Sequence, residues 1–363
     1  MTEFINPDEI ESGDVPITEG TRGATSSANS SSRSFSPKKL LITLLKLAVL
    51  ATVALWLVLQ LRKSWTELLN YSWAPRYEWL AASGIFYLIG FFPAALFWFL
   101  SLRWFGQRPT FFKSVLAYYS SQLGKYVPGK AMVIIIRTGM IASDKVRVSL
   151  AAASVFYETL VMMGSGAFIG ALIVLFCFRE NAFFSLMALG VAVCSITPLL
   201  PPVFVRVMKF LKVGKDNPNV QNALKSLKFS YLLIGFALMS VLWFFLGLSL
   251  WAVIYGIGIT PEPLLETLPR YIASVSLAMS LGFVVVVSPG GLGVREAILS
   301  KLLIPYIALI LANPANAMFN LAPETVATVI SLVQRIVSIA AELAIFAAMS
   351  LVGVWLKRKV RQS

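Results

Sequence analysis

The 363-residue chain is 58% hydrophobic and only 13% charged, with 31 Lys and Arg against 17 Asp and Glu and a formal net charge of +14. That mix excludes an ordinary soluble domain, in which about 25% of residues are charged. No histidine is present, which removes the commonest general base and metal ligand; Cys177 and Cys194 lie in apolar runs without spaced partners, so no metal, haem, disulfide framework or other cofactor is expected.

Residues 1–37 are polar and Ser-rich, beginning with Glu3, Asp8, Glu9, Glu11, Asp14 and Glu19, and read as a disordered tail. No apolar h-region occurs near Met1, so a cleaved signal peptide is not expected and 40–61 reads as an uncleaved anchor. Further bilayer-length runs fall at 79–102, 148–177, 183–205, 229–258, 268–288, 296–312 and 325–356. The fold class is an all-α polytopic membrane protein: a transmembrane domain over 38–356 with about eight helices, some broken or re-entrant, then a basic tail at 357–363.

Basic residues cluster at Lys38 and Lys39, from Arg103 to Arg147, from Arg206 to Lys228, and from Lys357 to Arg361. The positive-inside rule places these segments, and both termini, in the cytoplasm at a plasma (inner) membrane. The intervening connections carry few basic residues and include Glu262, Glu266 and Glu324. The cations sit at span ends, where orientation and anionic headgroups account for them, so the expected partners are membrane lipids and not nucleic acid.

Two segments break the apolar pattern. Between Arg103 and Arg147, Phe111–Tyr119 and Ala131–Ile136 are hydrophobic around Lys125-Tyr-Val-Pro-Gly-Lys130, and neither half is long enough to span. Two half-helices entering and leaving from the cytoplasmic side would place Pro128 and Gly129 at depth; the alternative is an amphipathic hairpin on the membrane surface. Further on, Ser288-Pro-Gly-Gly-Leu-Gly-Val-Arg-Glu296 interrupts a bilayer-length run, and a broken membrane helix is the best sequence pointer to a binding site. Gly290, Gly291 and Gly293 allow a ligand close to backbone N–H groups, and a helix starting near Val294 would aim its positive dipole end there, which favours an anion. A hinge or a tight helix crossing is the competing reading.

Each break is followed by a basic residue, Arg137 or Arg295, and then by a long helix carrying charge, which suggests an internal repeat; chance recurrence of Pro-Gly pairs is the alternative. Ser331, Arg335, Ser338 and Glu342 fall at i, i+4, i+7 and i+11 on one helical face, and Ser154, Glu158 and Ser165 form a shorter stripe beside Tyr157. A charge near a membrane-helix centre costs about 2.5–3.5 kcal/mol, so these residues should face the bundle interior and be paired. Arg295 and Arg335 read as the cations that receive an anionic group in a cavity, with Glu158, Glu296 and Glu342 balancing charge when it is empty. Fixed ion pairs that only order helices are the alternative.

The segment Gln122-Leu-Gly-Lys-Tyr-Val-Pro-Gly-Lys130 with downstream Arg137, and Ser288–Glu296 with downstream Arg335, resemble the flippase-like transmembrane domain of lysylphosphatidylglycerol synthases over approximately residues 40–356. The same segments are similar to the membrane part of some archaeal dolichol-dependent glycosyltransferases. The resemblance implies a bundle with re-entrant elements that moves a lipid with an anionic or modified headgroup, such as a phosphatidylglycerol derivative or a polyprenyl-phosphate-linked lipid. It carries onto Pro128, Gly129, Lys130, Arg137, Pro289, Gly290, Gly291, Gly293, Glu296 and Arg335. The family often has arginine in the helix after the first break, where this chain reads Tyr157-Glu158-Thr159, a change in charge balance that bears on the headgroup.

The soluble aminoacyl-transfer domain of a full synthase has no counterpart here, since the basic loop at 206–228 is too short to fold as a domain. A separate lipid-modifying enzyme is therefore a candidate partner, and synthase activity of this chain alone is not expected. Two other readings stay open: a metal-free lipid transferase with Glu158, Glu296 or Glu342 as base, and a non-transporting scaffold. Metal-dependent transfer would need clustered acids, and the only aspartates are Asp8, Asp14, Asp144 and Asp216.

Overall fold

The computed structural model describes residues 75–126, 131–143, 145–177, 182–210, 218–260, 263–284, 293–316 and 321–362. The expected tail at 1–37 and anchor at 40–61 lie outside them. Among the described residues the chain is helical, and a lone bridge between Ser143 and Val146 is the only β-type pairing.

Helix α1, Tyr77–Trp104, opens with Glu78 and closes with Arg103, charges that complement the helix dipole at each end. It is followed by α2, Phe111–Ser121, which runs into a 3-10 turn over Gln122–Tyr126, and by α3, Ala131–Ile141. Each of these short helices has 11 residues, about 16 Å of rise, so neither crosses a bilayer. They meet closely at Gly124, where a β-carbon would lie 2.8 Å from the backbone nitrogen of Val133. Two short helices thus flank the first break, an arrangement common to the re-entrant and the surface-hairpin readings.

The long helix α4, Val148–Cys177, is followed by α5, Ala182–Ile196, and α6, Pro201–Phe210. The expected straight span over 183–205 is instead bent by 75° between its two helices. Pro198, Pro201 and Pro202 explain the bend: Leu200 takes an extended conformation (ψ 129°), as the residue before a proline prefers, and the helical ladder is interrupted. Then come α7, Pro218–Lys225; α8, Phe229–Gly256; α9, Leu264–Val284; α10, Val294–Leu311; and α11, Pro323–Gln362.

Five of these helices (α1, α4, α8, α9 and the 323–351 portion of α11) are long and apolar enough to cross a membrane, and the bent pair raises the number to six. The sequence suggested about eight. The run at 40–61 lies outside the described residues, and the one at 296–312 forms α10, whose 18 residues carry Arg295, Glu296 and Lys301. The chain is a multi-pass membrane protein, and the large apolar side chains on its outer surface, among them Ile85, Phe92, Leu186 and Val241, are exposed as lipid-facing groups are.

The α1–α8 pair runs antiparallel. Arg76 N–H donates to the Gly256 carbonyl at 2.8 Å, Ser83 Oγ donates to the Ser249 carbonyl at 2.8 Å, and Trp104 stacks on Tyr231 with centroids 4.2 Å apart. Trp79, Trp251 and Tyr255 cluster at the opposite end of the pair. Aromatic groups at both ends match the two interfacial belts of a membrane helix pair.

Candidate functional site

Long helices with apolar surfaces all round leave their few charged residues to face inward. Glu158 is 1% exposed, Glu342 2%, Glu296 3%, Arg137 3%, and Arg295 and Arg335 6% each. Ser331, Ser338, Ser154 and Ser165 are buried beside them, so both stripes read from the sequence lie on interior faces.

Among the described residues three ion pairs hold these charges. Arg137 on α3 donates through Nη1 to Glu158 Oε2 on α4 at 2.9 Å, and through Nε to Ser121 Oγ at 3.0 Å. Its guanidinium lies over the Tyr118 ring at 4.2 Å, while Tyr118 Oη donates to Glu158 Oε1 at 3.1 Å. Glu342 of α11 accepts from Lys125 and from Tyr87, and from Tyr126 Oη at 2.9 Å. Between α10 and α11, Glu296 Oε1 stands 3.4 Å from Arg335 Nε, and the Arg335 guanidinium lies 5.1 Å from the centre of the Tyr126 ring.

The start of α10 is built by Gly293. Its φ of +81° is a conformation that glycine adopts without strain, and its N–H donates to Glu296 Oε2 at 2.6 Å. Glu296 thus caps the helix with one oxygen and meets Arg335 with the other, and Arg295 follows the helix start as expected. Gly282 on α9 lets the Arg295 backbone come close, since a β-carbon there would lie 3.3 Å from Arg295 Cβ. Lys130, Pro128, Gly129, Pro289, Gly290 and Gly291 lie outside the described residues.

Among the described residues Arg295 and Arg335 line only a narrow gap. The gap lies between Arg295, Glu296, Leu299, Ser331, Gln334 and Arg335 and leaves no room for a water molecule. The balance of charge is the more telling feature. Among the described residues four cations, Arg137, Arg295, Arg335 and Lys125, face three carboxylates, Glu158, Glu296 and Glu342, one more positive than negative group with all seven ionised. Among the described residues no carboxylate forms a salt bridge with Arg295.

Lys125, Tyr87, Tyr118 and Tyr126 were not singled out from the sequence. The only local signal was the Lys-Tyr pair just before the first break; Tyr87 and Tyr118 carry none, being aromatic residues in aromatic-rich helices.

Residues 43–323 match the family model described as the lysylphosphatidylglycerol synthase TM region. No curated protein and no solved structure matches the chain. The match stops where α11 begins, yet α11 supplies Arg335 and Glu342, which bond to Glu296, Lys125, Tyr87 and Tyr126 within the matched region. With more than half of its length matched, the chain belongs to the lysylphosphatidylglycerol synthase transmembrane-region family.

Proposed function

We propose that this protein moves a lipid with an anionic or modified headgroup between leaflets, with the buried cations as the headgroup's transient partners. The observation that carries this reading is Arg295, 6% exposed and without a carboxylate salt bridge among the described residues, at the start of α10 in a bundle of apolar helices. Burying a charge without a partner is costly, so an arginine in that position has a use for an anion. Phosphate esters suit it because the guanidinium donates in a planar fork.

In this reading the described state is an occluded or resting one. Opening has to separate α10 from α11, or to move the 3-10 turn that carries Lys125, and the ion pairs then exchange carboxylate for headgroup. Each buried carboxylate is held by a cation, which favours charge balancing over general base catalysis. The protein is proposed to lie in the plasma (inner) membrane with both termini cytoplasmic, since the Arg103–Arg147 and Arg206–Lys228 segments are the basic ones. A separate enzyme would make or consume the modified headgroup.

The test is scrambling in proteoliposomes, with fluorescent lipids of phosphatidylglycerol, polyprenyl-phosphate and phosphatidylcholine type and protein-free vesicles as reference. The reading expects protein-dependent movement of an anionic lipid, slower for the zwitterionic one. A folded protein that moves none of them would defeat it.

A further inference from the structure

A second cavity, about 610 Å³ and open on one side, lies where the end of α1 meets the start of α4 and the α7 helix. Its wall is a clamp between two connections. Arg108 N–H donates to the Lys145 carbonyl at 3.2 Å, and Arg147 N–H donates to Gln107 Oε1 at 2.8 Å, while buried Gln107 Nε2 donates to the Phe105 carbonyl at 3.0 Å.

This clamp sets Arg108, Lys145 and Arg147, all exposed, around one opening. Asn219 and Asn222, three residues apart on α7, add amide groups to the same rim. None of the described lining residues is acidic, and the floor is apolar, formed by buried Phe105, Leu150 and Ala223. Membrane orientation explains why cations lie at this end of the bundle. It does not explain why three converge on one concave, amide-lined space above an apolar floor.

We propose that this cleft binds the phosphate headgroup of an anionic phospholipid at the membrane surface. Phosphate alone would satisfy the rim; a phosphate whose other end is apolar satisfies rim and floor together. The site is distinct from the buried cations, for Leu150 in its floor precedes Glu158 by eight residues, about 12 Å of helix rise along α4. Binding here does not depend on whether the chain translocates lipid.

The experiment is a calorimetric titration of the full chain in detergent at low salt. The titrants are dihexanoyl phosphatidylglycerol, dihexanoyl phosphatidylcholine and inorganic phosphate. Wild type is compared with Lys145→Gln, with the combined Arg108→Gln, Lys145→Gln and Arg147→Gln variant, and with Arg295→Gln. Phosphatidylglycerol should bind severalfold more weakly to Lys145→Gln than to wild type, and about tenfold or more weakly to the combined variant. The other two titrants should bind wild type about tenfold more weakly than phosphatidylglycerol does. Unchanged binding by both Lys145→Gln and the combined variant overturns the proposal, as does equal affinity for phosphatidylcholine. Equal affinity for inorganic phosphate overturns the lipid assignment, and a loss confined to Arg295→Gln places the anion at the buried cluster instead.

Discussion

Glu158 shows what a buried charge requires in this chain: a guanidinium at 2.9 Å, a phenol at 3.1 Å, and a position 1% exposed. Replacing Glu158 with Ala strands Arg137 in the interior, and the expected loss is about 3–5 kcal/mol of stability. Thermal unfolding of the detergent-solubilised protein measures it. The double variant Arg137→Met, Glu158→Leu should recover most of that loss, because an apolar pair of similar volume avoids the desolvation cost of both ions; a double variant less stable than the single one would contradict this account. The helical spacing of Ser331, Arg335, Ser338 and Glu342 made their common face legible from the sequence. Their partners were not legible, for Lys125 and Glu342 lie 217 residues apart and only the packing of the 3-10 turn against α11 brings them together. Helical periodicity reports which way a side chain points and carries no information on what it meets.

Helix pairing in this bundle depends on small residues as much as on apolar ones. At Gly166 on α4 a β-carbon would lie 2.3 Å from the Trp243 ring and 2.8 Å from Ser280 Oγ, so α4 packs there against both α8 and α9. Ser280 Oγ also donates to the Met163 carbonyl at 2.8 Å, a bond that ties α9 to the same turn of α4. Gly166→Ala should therefore cost about 1–3 kcal/mol through overpacking. Gly190→Ala on α5, where nothing lies within 4 Å, should change stability by less than about 0.5 kcal/mol. Comparing the two melting shifts checks the claim, and equal shifts would refute it. The first break was readable as two half-helices because Pro128 and Gly129 divide hydrophobic runs too short to span. The bend between α5 and α6 is not visible in apolar run length, which stays continuous through Pro198, Pro201 and Pro202; the prolines are its only sequence mark.

At the scale of the molecule, all-helical architecture and multiple crossings followed from apolar run length alone, while the number of crossings did not. α10 illustrates the difficulty: its 18 residues have the rise to cross, yet they carry three charged side chains, Arg295, Glu296 and Lys301. By the positive-inside rule the basic connections are expected on the cytoplasmic side. On a background with Cys177→Ser and Cys194→Ser, Lys145→Cys and Ser226→Cys should react with a membrane-impermeant maleimide only after permeabilisation. Glu266→Cys should react in intact cells. The opposite pattern would invert the topology. The central claim, that a buried positive charge receives a lipid headgroup, is tested most directly by scrambling of anionic lipid with Arg295→Gln beside Arg295→Lys. The account predicts that Gln slows movement by about tenfold or more, as loss of roughly 1.4 kcal/mol in the barrier-crossing state requires, and that Lys retains most of it. Wild-type rates in folded Arg295→Gln protein would contradict it.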